Sequence, residues 1–250
     1  MRQAARHHKC RKVALVLGFW FFLPVLLAQE QASNDANSAA LQPASPSPTA
    51  DNQRILGVIP NFQTVNDPNQ PYVRLTVKQK FALFAKETFD PFVAGAAFAG
   101  AALSQVDNDS PRYGVGAGPY GERFGAAVAD IATQNFFSDA VLASLLHEDP
   151  RYFRKGPAFG FWDRLYYSVS RVFVTRTDAG NNRFNYSGIG GMSLGIALSN
   201  AYYPGSSVNA SEVGSRFGTS LVATALGNIL PEFWPDIHQK FFHRKPKPQN

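Results

Sequence analysis

The sequence predicts an all-α fold: a single compact bundle of about five to seven Gly- and Ala-rich helices after a disordered linker. Three observations carry that expectation. Large apolar residues recur at the three-and-four spacing of a helix in several segments. Period-2 alternation is scarce along the chain, which leaves little material for sheets. Proline, Asp, Ser and Thr stand where helices would start, and proline or Asp-Pro turns stand where they would stop.

Arg2, Arg6, Lys9, Arg11 and Lys12 precede an unbroken apolar run, Val13–Ala28. A basic stretch, a short apolar stretch and a small residue are the three parts of a secretory leader, so residues 1–28 read as a signal peptide cleaved after Ala28. The run is shorter than the ~20 residues of a spanning helix, with Pro24 near its end. Cys10 precedes the run and so stands in the wrong place for a lipoprotein cysteine. Five of the 24 Lys and Arg and none of the 18 Asp and Glu fall in the leader, leaving 19 against 18. The basic balance is thus a targeting feature, and no nucleic-acid partner is expected. Residues 29–250 contain no cysteine, so core burial without disulfides must hold an exported fold.

Residues 29–53 are rich in Ala, Ser, Pro, Asn and Gln and cannot bury enough apolar surface to offset their ordering entropy. They read as a disordered linker, followed by a helical domain over 54–243 and a basic tail over 244–250. Pro60, Pro68 and Pro71 make the domain's first stretch extended and irregular. Thr76 is the expected N-cap of a helix with Val77, Phe81, Phe84 and Phe89 inward and Lys78, Lys80, Lys86 and Glu87 outward. Asp90-Pro91 starts a fresh helix. Its residues through Leu103 are almost all Ala, Gly and Phe, which predicts burial on all sides.

Asp107–Gly118 reads as a flexible loop, and a long helix is expected from Pro119 to about His147. An amphipathic helix near Phe161–Val174 should place Trp162, Leu165, Val169, Val172 and Phe173 inward and Arg164, Ser168 and Arg171 outward. Ser187–Tyr203 is a second Gly-rich helix. Ser211 caps a third reaching Leu230, and Pro231–Phe242 forms a short last one.

Two stretches echo each other. Gly121-Glu-Arg-Phe-Gly125 matches Gly214-Ser-Arg-Phe-Gly218, and an asparagine follows each second glycine by ten residues, at Asn135 and Asn228. Asn200 follows Gly190 at the same distance, and Gly191 and Gly195 repeat the glycine spacing. Glycines four apart strip one stripe of a helix and let another backbone approach, so Gly121, Gly125, Gly191, Gly195, Gly214 and Gly218 are expected at close helix contacts. The three asparagines would form a polar network at similar depth, bonded to neighbouring groups.

The densest polar cluster holds His147, Glu148, Asp149, Arg151 and Arg154. Successive helical residues point about 100° apart, so the first three cannot converge on one ion from a helix. The H-E-x-x-H zinc pattern is broken by Arg151, and only three histidines lie beyond the leader, so neither a metal nor a cofactor is expected. The plain reading is a helix end with His147 on the negative pole of the dipole, then an Asp-Pro turn. Arg171, Arg176 and Asp178 form a second weak cluster, which reads as a helix-end ion pair. It lacks the histidine of the membrane-type acid phosphatases. The run Gly114-Val-Gly-Ala-Gly118 has no P-loop lysine and no preceding strand, and there is no G-x-S-x-G elbow.

Taken together, the segments LLHEDPRYFR, SRVFVTRTDAGNNRFNYS, SNAYYP and LGNILPEFWPDI resemble a family of exported bacterial proteins of the acidobacterial type with no assigned activity. The resemblance spans about Leu56–Ile237. It implies one exported domain and no cofactor or catalytic residue.

The function expected from the sequence is that of an exported cell-envelope protein, periplasmic or peripheral to a membrane, acting as a structural or binding helical domain with a membrane or envelope partner left open. The alternative is an envelope hydrolase or ligand-binding enzyme that uses the His147–Arg154 cluster. Convergence of those side chains in one pocket separates the two.

Overall fold

Local capping signals set the helix starts. The computed structural model describes residues 54–242; the expected leader, linker and basic tail, and His243, lie outside them. Helix α1 (Val77–Thr88) opens with a capping box, in which Thr76 Oγ1 accepts from Gln79 N and Gln79 Oε1 accepts from Thr76 N at 2.8 Å. Asp90 caps α2 (Pro91–Val106) by accepting from Phe92 N at 2.9 Å, with proline at the first helical position. Helix α3 (Ala117–Asn135) continues through a π-helical segment, Phe136–Leu142, into a last turn, Ala143–Leu145. Then come α4 (Phe161–Ser170), α5 (Tyr186–Ser199) and α6 (Ala210–Phe242). The described region is mostly helical with little strand, an all-α bundle.

Several boundaries differ from expectation. His147 adopts φ 55°, which ends the helix before it and leaves Glu148–Asp149 to form strand β4. Strands β1 (Arg54–Ile55) and β2 (Ile59–Pro60) form a small hairpin, and β3 (Thr64–Val65) pairs in parallel with β5 (Tyr152–Phe153). Strand β4 joins β6 (Val174–Thr177) and β7 (Asn182–Phe184) in an antiparallel sheet ordered β4-β6-β7. Strands of two to four residues are too short to print an alternation in the sequence.

Helix α6 is one helix rather than two, and runs through Pro231 and Pro235. Proline weakens a helix by removing a donor. Here the carbonyl of Glu232 accepts from Arg154 Nε at 2.8 Å and Arg164 Nη2 at 2.5 Å, so tertiary donors grip the chain at its weak turn. Its first turn is capped by Asn209 rather than Ser211, with Asn209 Oδ1 accepting from Glu212 N at 3.0 Å.

The helices pack in series. Helix α2 lies on α3, α3 on α5, α5 on α6 and α6 on α4, while α1 lies on the π segment. At the crossing of α5 with α3 and the π segment, a Cβ on Gly191 would collide with the backbone of Ser138, and one on Gly195 with Gln134. Gly121, Gly125, Gly214 and Gly218 have open space where a Cβ would go, so close packing does not explain them.

The largest departure from expectation is the polarity of the faces. In α4, Arg164, Ser168 and Arg171 are buried, while Trp162 is 76 % exposed and Val169 and Phe173 also face out. Val172 alone of the predicted inward set is buried, and Leu165 is half-buried. In α1, Lys80 is 1 % exposed while Val77, Phe81 and Phe89 are exposed. Helix α2 is not buried on all sides: only Ala97 and Ala101 are fully buried, and Phe98, Leu103 and Val106 are more than half exposed. Helical period separates two faces but does not say which one the rest of the chain will satisfy. In this fold the charged face turns inward at Lys80 and Arg164 because other elements bring counter-charges to them.

Candidate functional site

Two polar centres organise the interior. The first is Glu232 of α6, fully buried. Its carboxylate accepts from Arg164 Nε at 2.8 Å, Tyr152 Oη at 2.7 Å, and the backbone amides of Lys155 and Gly156 at 2.9 and 3.0 Å. Asp236, one turn on, pairs with both Arg154 and Arg164 at 2.5 Å. This network ties α6 to α4 and to β5. All its members are partnered, which is the reading appropriate to a structural element.

The second centre is a polar cavity of about 220 Å³. Its walls come from the π segment, the turn between β4 and β5, the start of β6, the start of α5 and the middle of α6. Asp139, projecting from the π segment, lines it. Its Oδ1 accepts from Ser138 Oγ and its Oδ2 from Gln63 Nε2, both at 2.8 Å. Burial raises its carboxyl to about 6, against the pull of those two donors. A π turn widens the helix locally and recurs at functional sites. Here it also carries Ser138 against Gly191.

Gln63 links this centre to a second carboxyl. Its backbone amide donates to Glu87 Oε1 at 2.9 Å, while its side chain donates to Asp139. Burial pushes Glu87 up to about 7, and the nearby Asp139 and Asp90 add to the shift. Glu87 lies on the wall of a neighbouring cavity of about 230 Å³, which shares Gln63, Tyr152 and Asn228 with the first.

Arg171 lines the first cavity from the opposite sequence region. It is buried, donates to Asn182 Oδ1 at 2.8 Å and lies over the Tyr167 ring at 5.6 Å. Burial holds its guanidinium below the usual range, and Arg176 adds to this. Among the described residues it makes no ion pair, and neither does Asp139.

The residues singled out in sequence divide among separate contacts. His147 is exposed, with Nδ1 3.7 Å from Asp178 Oδ2. Glu148 is buried beside Arg183, Nε to Oε1 3.1 Å, and its Oε2 accepts from Ser187 N at 2.7 Å. Asp149 is buried against Arg151 at 2.7 Å and accepts from Tyr72 Oη at 3.0 Å. Arg154 belongs to the Glu232 network. Arg176 stacks over Phe153 at 4.1 Å. Asp178 pairs with the buried Lys80 at 2.8 Å, so it closes onto α1 rather than onto a helix-end arginine. Of these eight residues, Arg151 and Arg171 alone line the cavity. The His147–Asp149 segment is therefore a strand edge locked by ion pairs, and not a helix end.

The asparagines also separate. Asn135 donates to Thr88 Oγ1 at 3.1 Å and Asn228 to Ser168 O at 3.3 Å, and both line the cavity. Asn200 lies elsewhere and accepts from Arg216 Nη2 at 2.6 Å. They share no network. The echo's meaning rests on its arginines. Arg216 clamps the end of α5 through Ser199 and Asn200. Arg123, 2 % exposed, donates to Ser104, Asn108, Asp109, Pro111 and Gly114, so the 107–118 loop is held rather than free.

Gln63, Glu87, Lys80, Arg164, Glu232 and Asp139 were not singled out as site residues by sequence. For Asp139 a signal existed: an acid interrupting a long apolar stretch of α3 has to be satisfied or used. For the others the partners lie tens of residues away, and no local pattern points to them.

Among the described residues, no three His, Cys, Asp or Glu gather as a metal site would require, and no helix is long and apolar enough to cross a membrane. No family model, curated protein or solved structure matches this chain.

Proposed function

We propose that this chain is an exported cell-envelope domain, non-enzymatic, that sits peripherally on a membrane through its apolar perimeter and acts as a structural or binding element. One observation carries the reading: the helices turn charged side chains inward and aromatic and aliphatic ones outward. Arg164, Lys80, Arg123 and Glu232 are buried, while Trp162, Tyr166, Phe98, Leu103 and Val106 are exposed. A helix that is apolar all round belongs in a protein core or in lipid. Helix α2 meets α3 through Ala97, Ala101 and the edge of Phe98, and leaves Leu103 and Val106 outward.

Helices α2 and α4 stand at opposite ends of the packing series, and both present apolar faces. The 16 residues of α2 extend about 24 Å at 1.5 Å per residue, short of a ~30 Å hydrocarbon core. That length favours partial insertion over spanning. The leader-like residues 1–28 support export. The hydrolase alternative required the His147–Arg154 cluster to converge, and its members instead close onto separate partners.

Fractionation of cells expressing the full chain tests this reading. The protein should begin at Gln29, remain with membranes after osmotic shock, and float with phospholipid vesicles. Release in the shock fluid without detergent would overturn the membrane seat, and an intact Met1 terminus would overturn export.

A further inference from the structure

The cavity between the π segment, the β4–β5 turn, α5 and α6 holds two charges of opposite sign that do not neutralise each other. Arg171 is more than nine-tenths buried, lines the cavity and has one hydrogen-bonded partner, Asn182, for its five donors. Asp139 lines the same cavity and accepts only from a hydroxyl and a side-chain amide, Ser138 and Gln63. No carboxylate lies within ion-pair reach of Arg171 and no cation within reach of Asp139 among the described residues. A buried charge without a counter-charge is costly. Elsewhere Lys80, Arg154, Arg164, Glu148, Asp149 and Glu232 are each paired, and Arg123, which has no counter-charge, is met by five neutral acceptors. Arg171, by contrast, has one neutral partner and Asp139 two.

Around those two charges the remaining wall is built of amides and hydroxyls. Asn135, Asn185, Asn228 and Gln134 carry both donors and acceptors, and Thr224 and Ser187 add hydroxyls. A neutral polyol would satisfy the amides and leave both charges as they are. A simple anion would satisfy Arg171 and repel Asp139. A molecule carrying both charges answers the whole wall.

We propose that this cavity is a binding site for a small zwitterion of the amino-acid class, with its carboxylate on Arg171 and its ammonium on Asp139. The amides and hydroxyls between them orient the rest of the molecule. Nothing in this depends on the membrane reading, because the cavity lies inside the bundle and can be probed in detergent or in free solution.

The test is thermal unfolding of the purified chain titrated with glycine, L-serine and L-glutamine, beside glycolate, ethanolamine and glycerol as anion-only, cation-only and uncharged controls. At least one zwitterion should raise the midpoint by several degrees in a saturable way, and the three controls should fall well below it. Three flat zwitterion titrations overturn the proposal, as does a response to glycerol or glycolate equal to the best zwitterion. This comparison uses the unaltered protein and so survives variants that fail to fold. In Arg171→Gln, where it folds, the zwitterion response should be lost. In Asp139→Asn, glycolate should rise to match L-serine. Retention of the full wild-type pattern in both variants would place the ligand elsewhere and sink the assignment.

Discussion

Arg164 and Glu232 meet inside the bundle, Nε to Oε1 2.8 Å, while Trp162, two residues before Arg164, faces out. The pair joins α4 to α6 at the turn where Pro231 and Pro235 weaken the longer helix. It is a buried ion pair with full hydrogen-bond support, and such pairs are costly to break singly. Arg164→Met should therefore destabilise the fold by about 3 to 5 kcal/mol, since Glu232 would be left buried with only Tyr152 and two backbone amides. Arg164→Met with Glu232→Met should cost less than Arg164→Met alone. Denaturant unfolding of the single and double variants checks this, and strict additivity would refute the coupling.

The raised carboxyls give a pH dependence of defined sign. Glu87 stands at about 7 and Asp139 at about 6 in the fold, above their ordinary values of 4.5 and 3.8. Between those limits the folded state holds protons that the unfolded state has released. Stability from these groups is therefore present at low pH and is lost as pH rises through about 4 to 7. Each should contribute about 1 to 3 kcal/mol to that fall. Asp139→Asn should flatten the part below about pH 6, and Glu87→Gln the part up to about pH 7. Urea unfolding at a series of pH values measures it; an unchanged slope in both variants would count against burial as the cause.

The glycines separate into two classes with opposite expected effects. Gly191→Ala should destabilise by about 1 to 3 kcal/mol, because its Cβ would press on the backbone of Ser138 in the π segment. Gly121→Ala meets nothing within 4 Å and should stabilise by about 0.5 to 1 kcal/mol through helix propensity. Melting midpoints of the two variants should move in opposite directions. The same comparison at Gly195 and Gly214 repeats the test.

The exposed aromatic face of α4 offers a substitution that separates fold from membrane contact. Trp162→Glu and Tyr166→Glu replace side chains more than three-quarters exposed. Stability should change by less than about 0.5 kcal/mol. Vesicle flotation should drop several-fold, by analogy with the loss of apolar contact in any interfacial helix. Full flotation by the double variant would remove α4 from the proposed contact.

Thr76, Asp90 and Pro91 announced α1 and α2 through short-range chemistry, since a cap's partner lies two or three residues away. The all-helical class followed from the same local periodicity, which also marked the two faces of α1 and α4. What local pattern does not carry is the identity of the covered face. Lys80 turns inward because Asp178 waits 98 residues on, and Arg164 because Glu232 waits 68 residues on.

The candidate site was legible only in fragments. Arg171, Asn135 and Asn228 were visible as residue types, whereas Gln63, Asp139 and Glu87 acquire meaning from one another. The strand at Glu148–Asp149 has the same origin, for its partners in β6 lie some thirty residues away and a two-residue strand has no period of its own. The sequence by itself determined the helical class and the caps of α1 and α2, Thr76 and Asp90. Tertiary structure alone decided which face is inside, because Lys80 and Arg164 can be buried only where distant parts of the chain supply their counter-charges.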